Sequence, residues 1–344
     1  MLPKPPPREG NLGFLYLPPY RIQGISVAGE VVCLHIPELD VCFDMGCCPR
    51  AALSARFAAI SHGHMDHVGG LAYYCSQRKF QGMGVATIVC DKRIESDIRG
   101  MLSGFEALER QKTPYNLIAL EPEQCIEVKN NIVLKGFLTE HTAPSMGYVL
   151  IERRSKLKEE FVGLPQEKLR ELKDRGTEIT RMLEIPLVAY LGDTSPGPVL
   201  LRDDVRKAQI ILSECTFVEP EHKERAKIGM HMHLDDILEW VGVVECQAMV
   251  LHHISRRTNL QIARKIVQDR LGREQAERIL FLMDHRGNKE RYERQLDEAE
   301  RAARAAGRPV PDVRVRPARP PENRPARPFS GPRSGSDRSS HRNG

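Results

Sequence analysis

The chain has 344 residues, 41% of them apolar and 28% charged, with a formal net charge of +5. That length accommodates one large domain or two ordinary ones with a sizeable core, and the absence of any 18-residue uncharged apolar run excludes a predicted transmembrane helix. The positive charge is local: eleven arginines against Asp312, Glu322 and Asp337 give the stretch from Arg301 onward +8, so residues 1–300 carry −3 and the excess says little about the body of the protein.

Residues 1–20 are Pro-rich, lack the apolar stretch of a signal peptide, and are expected to form an extended N-terminal extension ahead of a domain spanning 21–306. The nine cysteines are scattered and never in C-x-x-C spacing, which argues against a disulfide framework and predicts a reducing, cytoplasmic setting. From Arg21 the pattern predicts a strand meander: Ile25 to Val27, a turn at Gly29, Val31 to Ile36, then Val41 to Phe43 ending at Asp44. Asp44 reads equally as a turn residue or as a side chain that orients a metal ligand.

Phe57 to Ile60 is a short apolar run, the mark of a buried strand. Immediately after it, His62, His64, Asp66 and His67 fall within six residues, in the pattern H-x-H-x-D-H. A strand that stops in a ligand-dense loop holds its imidazoles at the rim of a core. Imidazole nitrogen suits zinc, and the adjacent carboxylate keeps the site anionic enough for a second cation.

Ala86 to Cys90 predicts a strand and Asp91 to Arg110 a long helix capped by its aspartate. Asn131 to Leu138 is strand-like and leads to His141. Residues 151–185 break the pattern with alternating basic and acidic side chains around Gly163-Leu-Pro165, the composition of a solvated charged hairpin. Strands resume at Pro186 to Leu191, ahead of Asp193, at Ala208 to Leu212, ahead of Glu214, and at Gln247 to His252, ahead of His253. Gly229 to Ile237 enters a predicted helix that runs through about Val243, further helices are predicted from Asn259 to Leu271 and from Gly287 to about Ala306, and a last strand at Arg278 to Met283. From Gly307 the composition turns to Arg, Pro, Ser and Gly, which predicts a disordered tail over 307–344. The polar candidates Asp44, His62, His64, His141, Asp193, Glu214 and His253 all recur where strands end, and loops at one edge of a scaffold are where chemistry sits.

These residues resemble the metallo-β-lactamase superfamily and, within it, ribonuclease Z, the endonuclease of precursor tRNA 3′ trailers, most of all its short plant-type form. Phe43-Asp-Met-Gly46, Ile60-Ser-His-Gly-His-Met-Asp-His-Val-Gly-Gly-Leu71, the segment around Gly163-Leu164, Gly192-Asp-Thr194 with Glu214-Cys-Thr-Phe217, and His231-Met-His233 with His253-Ile-Ser255 carry the likeness. The resemblance implies an α/β fold, the αββα four-layer sandwich, with two zinc ions per subunit (manganese being an alternative). His62, His64 and His141 would hold one ion, Asp66, His67 and His253 the other, with Asp193 bridging and Asp44 in support. His252 is the competing register for His253. A metal-activated hydroxide would attack the phosphodiester with help from Asp66, and Glu214 paired with His231 would protonate the departing ribose oxygen, with His233 as the fallback. Residues from about 153 to 184 lie where the family places a tRNA-clasping arm, so Lys156 and Lys158, together with Arg256 and Arg257 beside the metals, become phosphate contacts. The implied partners are precursor tRNA and a second copy of the chain, with no membrane.

The Gly-Thr-x-x-x-x-Pro loop that opens many members is absent, and Ser213 stands where a histidine is common before the glutamate. An alternative is therefore a zinc hydrolase of the same fold that acts on a small phosphodiester or ester.

Overall fold

The computed structural model describes residues 3–307. In the first sheet, β1 (Gly13–Leu17), β2 (Tyr20–Val27), β3 (Val31–Ile36), β4 (Val41–Phe43), β5 (Phe57–Ala59), β6 (Ala86–Asp91) and β7 (Tyr115–Leu120) lie side by side in chain order. They pair antiparallel as far as β4 and parallel beyond it. The second sheet repeats that plan: β8 (Cys125–Lys129), β9 (Ile132–Thr139), β10 (Ser145–Leu157) and β11 (Thr180–Tyr190) are antiparallel, then β11, β12 (Ile210–Glu214), β13 (Ala248–His252) and β14 (Ile279–Phe281) run parallel.

Three apolar clusters divide the molecule into four layers. Between the sheets, Leu34, Phe43, Tyr148, Tyr190, Leu212 and Val250 form the central core. Outside the first sheet, α1 (Met65–Val68), α2 (Leu71–Phe80) and α3 (Glu95–Glu109) set Leu71, Tyr74, Ile98 and Leu102 against Ile88 and Cys90. After the short helices α4 (Gln166–Asp174), α5 (Asp203–Arg206) and α6 (Lys223–Gly229), the helices α7 (Leu234–Val241) and α8 (Leu260–Ala276) set Ile237, Trp240 and Val267 against Ile211, Met249 and Phe281 outside the second. This is the αββα sandwich. Burying four such faces is the dominant favourable term in folding, at about 25 cal/mol per Å² of apolar surface. The last helix, α9 (His285–Ala305), packs on β1, with Tyr292 edge-on to Phe14.

The expected N-terminal extension over 1–20 is shorter than its prolines imply. Gly13–Leu17 is β1, and Leu17 pairs with Tyr20 across a turn made by Pro18 and Pro19. The prolines there mark a hairpin turn, so the ordered sheet begins before residue 21. The helix expected from Asp91 opens with a 3-10 turn over Lys92–Ile94, capped by the Asp91 side chain on the Arg93 amide, and α3 follows at Glu95. Of the stretch 307–344, only Gly307 lies within the described residues. The charged segment is a long hairpin: β10 and β11 run on together past the sheet, Arg153 opposite Glu184 and Leu157 opposite Thr180, to a tip that carries α4.

Candidate metal centre

The strand ends deliver the candidate ligands. β5 leads to Ser61 and His62, β9 to His141, β11 to Asp193, β12 ends on Glu214, and β13 leads to His253. One donor atom from each of His62, His64 and His141 lies within 4.8 Å of the others. Asp66, His67 and His253 form a second such group, and Asp193 meets His62 and His67 in a third. Asp193 Oδ2 stands 3.3 Å from both His67 Nε2 and His253 Nε2 and 3.9 Å from His62 Nε2, between the two triads. All seven expected donors converge, and they close at the buried His67 and Asp193 and open to solvent at His64.

Asp44 braces this floor. Its Oδ1 accepts the Ser61 amide at 2.7 Å, and its Oδ2 accepts the Ser61 hydroxyl at 2.8 Å, the Tyr190 hydroxyl, and His67 Nδ1 at 2.7 Å. With Nδ1 engaged as the donor, His67 Nε2 is left as a lone pair aimed into the cluster, the usual arrangement behind a metal-binding imidazole. His67 Nε2 and Asp193 Oδ1 are buried without a hydrogen-bond partner. Such atoms cost about 1–3 kcal/mol each unless something claims them, and a cation held among these donors would claim both. Imidazole and carboxylate donors grouped in this way fit zinc. Asp44 and His253 both adopt left-handed backbone, with φ of 54° and 52°, which non-glycine residues hold only where the surroundings enforce it.

The electrostatics follow from burial among charges. Burial and the neighbouring His67 push His62 down to about 2, so its ring is a neutral donor. Burial opposes ionisation of Asp66, but its hydrogen bond from His253 and the nearby His67 outweigh that and hold it at about 2. His67 is drawn well above its ordinary value by Asp193 and Asp44 in spite of burial. A bound cation would take the place of that proton.

Beside the donors stands a second group. His231 Nδ1 is 2.8 Å from Glu214 Oε1 and 4.0 Å from Asp193 Oδ2. Glu214 is fully buried and accepts the Thr194 amide at 2.9 Å and the Thr216 hydroxyl at 2.6 Å. Burial pulls the His231 ring down, yet Glu214 and Asp193 prevail and raise it to about 9. The ring is thus an imidazolium at neutral pH with Nδ1 anchored.

His252, the competing register, turns away: its Nδ1 meets the Ser26 hydroxyl at 3.3 Å and its ring stacks on Tyr190. His233 is occupied as the cap of α7, accepting the Asp235 amide. The expected phosphate contacts do not join the cluster. Arg256 is exposed and paired with Glu30, Arg257 is exposed, and Lys156 and Lys158 lie on the hairpin, Lys158 3.2 Å from Glu178. Sequence reasoning assigned no role to Ser61, Tyr190, Thr194 or Thr216, which hold Asp44 and Glu214 in place. Their signal was adjacency: Ser61, Thr194 and Thr216 each sit within two residues of a strand-end ligand or acid.

The profile described as "Beta-lactamase superfamily domain" matches residues 49–254. The chain is 33% identical over 241 residues to tRNase Z TRZ1 of Arabidopsis thaliana, which covers 69% of this chain and 86% of that one. It is 32% identical over 251 residues to the chloroplastic tRNase Z TRZ2 of the same plant, covering 72% and 71%. A ribonuclease Z of Staphylococcus aureus is 25% identical over 249 residues, covering 65% and 78%. The crystal structure of the short form of human tRNase Z superposes with a TM-score of 0.47 at 14% identity, over 78% of this chain and 95% of that one.

Proposed function

Because the chain belongs to the metallo-β-lactamase superfamily and, within it, to the ribonuclease Z family, we propose that it is a zinc-dependent endoribonuclease that removes the 3′ trailer of precursor tRNA. The observation that carries this is the meeting, at one edge of the two packed sheets, of seven His and Asp donors with the Glu214–His231 pair. His62, His64 and His141 would hold one zinc and Asp66, His67 and His253 the other, sharing Asp193. Zinc held there would supply Lewis-acid activation of water and of the phosphodiester, and manganese is the alternative that the carboxylates Asp66 and Asp193 suit. Asp66, ionised at neutral pH, accepts a hydrogen bond from the attacking water and orients it. His231, kept protonated by Glu214, donates from Nε2 to the ribose oxygen as the P–O bond breaks, which is the task of a general acid.

Arg256, Arg257, Lys156 and Lys158 are assigned to backbone phosphates of the substrate. A homodimer is proposed from the face of α2, where Tyr73 and Phe80, two turns apart, are 55% and 84% exposed. Phe80→Asp is then expected to give a monomer by light scattering, and an unchanged mass would remove that assignment. The nine free cysteines support a reducing compartment such as the cytoplasm. Among the described residues, no helix is long and apolar enough to cross a membrane.

The test is cleavage of end-labelled precursor tRNA with zinc or manganese. The proposal expects a cut just after the discriminator base, abolished in His64→Ala and retained when the chain is ended after Ala306. Intact RNA alongside hydrolysed bis-p-nitrophenyl phosphate would reject tRNA and favour the small-phosphodiester alternative.

A further inference from the structure

A second basic site lies away from the metal centre, where α8, β14 and the first half of α9 enclose a cavity of about 250 Å³. None of its lining residues belongs to the metal cluster. Four arginines face it: Arg264 and Arg273 from α8, Arg291 and Arg294 from α9. The helix α8 bends at Gly272, whose φ of +73° only glycine takes readily, and its last turn closes one side.

Two carboxylates share the lining, and each is already engaged. Asp284 caps α9 through the Gly287 amide and meets Arg264 Nη1 at 2.8 Å, while Glu277 lies 3.4 Å from Arg273 Nε. Arg291 and Arg294, one turn apart on the same helix face, have no carboxylate within ion-pairing distance among the described residues. Arg291 is half-buried and its Nε is buried with no hydrogen-bond partner. Burial and the adjacent Arg294 push its guanidinium below the ordinary range against the weaker pull of Glu277 and Glu298. A guanidinium drawn out of water with no carboxylate in contact is destabilising, and its planar fork matches a phosphate better than any neutral partner.

We propose that this cavity is an anion site that takes a phosphate or diphosphate group, clamped by Arg291 and Arg294. Its volume is below the roughly 300 Å³ at which pockets for whole small molecules begin, so it suits a compact anionic group. That group is either a backbone phosphate of the RNA substrate or the phosphate of a small free molecule, and the same variants separate the two sources.

The experiment titrates inorganic phosphate into the zinc-loaded full chain, the Arg291→Gln/Arg294→Gln variant and His64→Ala, followed by calorimetry and by the shift in melting temperature. The site predicts a saturable binding event that survives His64→Ala and weakens at least tenfold in the double variant. The double variant without phosphate should melt no lower than the unsubstituted protein, since it loses an unpaired charge. If it fails to fold, Arg294→Gln alone, at an exposed residue, should still weaken binding several-fold. A several-fold rise in KM for precursor tRNA at constant kcat would identify the anion as substrate backbone. Lost phosphate binding with an unmoved KM would identify a small free phosphate. Superimposable phosphate isotherms with an unchanged KM would overturn the site.

Discussion

The metal edge and the charged hairpin carry similar residue types and treat them in opposite ways. At the edge, polar groups are drawn inward: Asp44, His62, His67, Asp193 and Glu214 are all at most 1% exposed, and two of their donor atoms have no protein partner. On the hairpin, charges are answered side by side in water, as in Arg153–Glu184, Lys158–Glu178 and Arg181–Glu159 at 2.9 to 3.2 Å. Exposed pairs of this kind contribute about 0–1 kcal/mol each, whereas the unmet atoms of the edge are costly and sit among clustered imidazole and carboxylate donors that a cation would complete. The edge is therefore built for a ligand it does not itself supply, and the hairpin is close to self-sufficient.

The largest effect should come from the residue that both triads share. Asp193→Ala is expected to remove several kcal/mol of charge stabilisation, about a thousandfold in kcat, on precursor tRNA and on bis-p-nitrophenyl phosphate alike. Zinc content measured on the same sample should fall with it. Retention of full metal and activity would mean that the buried carboxylate is structural and that the edge, like the hairpin, answers its own charges.

Burial without a ligand has its own signature, and His35 provides it. It lies at 2% exposure, bonded to Gln23 at 3.1 Å, and burial followed by the nearby Arg21 lowers it from 6.5 to about 4. Between those values the unfolded chain binds a proton that the folded chain refuses. Stability is therefore complete above pH 6.5 and declines as pH falls to about 4, by about 3 kcal/mol. Below that both states are protonated and the loss stops. Urea unfolding of the unsubstituted protein and of His35→Gln across this range should show the difference, and parallel curves would contradict it.

A smaller effect distinguishes the acid from the ligands within the edge itself. His231→Ala should lower cleavage of precursor tRNA about a hundredfold, the lower end for a positioned general acid. It should barely touch bis-p-nitrophenyl phosphate, because p-nitrophenolate leaves without a proton. An equal loss on both substrates would make His231 part of the metal site, where its 4.0 Å approach to Asp193 would then place it.

Much of the edge was legible in the sequence because a strand end fixes where a side chain can go. Once Phe57 to Ile60, Pro186 to Leu191 and Gln247 to His252 read as buried strands, their following polar residues had to gather at a common rim. The assignment of His253 over His252 needed more: one residue of register decides which ring faces the cluster, and the left-handed turn at His253 that settles it leaves no mark in composition. Edge strands were harder. Gly13–Leu17 carries an apolar run but sits in a Pro-rich stretch that reads as extended, and Tyr115–Leu120 carries one too but is mostly half-buried, with neither a ligand nor a turn signal to mark it. The Asp44 network was invisible for a different reason. Ser61 and Tyr190 are 129 residues apart, and only the packing of one sheet on the other brings them to the same carboxylate.

The smallest effect tests how self-sufficient the hairpin is. Lys156, Arg170, Lys173 and Arg175 have no ion pair among the described residues, while the other cations around them do. If the hairpin clasps RNA, these four are its free phosphate contacts, since the paired ones must first give up a carboxylate. Each alanine substitution at Arg170, Lys173 or Arg175 should raise KM for precursor tRNA a few-fold with kcat unchanged, and should flatten the dependence of log KM on log salt by about one ion. Hydrolysis of bis-p-nitrophenyl phosphate and the melting temperature should not move, because these exposed side chains support neither the metal edge nor the core. Substituting Lys158 or Arg153 should do less than any of them, since removing one partner of an exposed pair also frees a carboxylate that repels the backbone only weakly through water. If the paired residues matter more than the free ones, the hairpin binds RNA by exchanging its internal partners, and the balanced charge that looks like self-sufficiency is a store of contacts held ready.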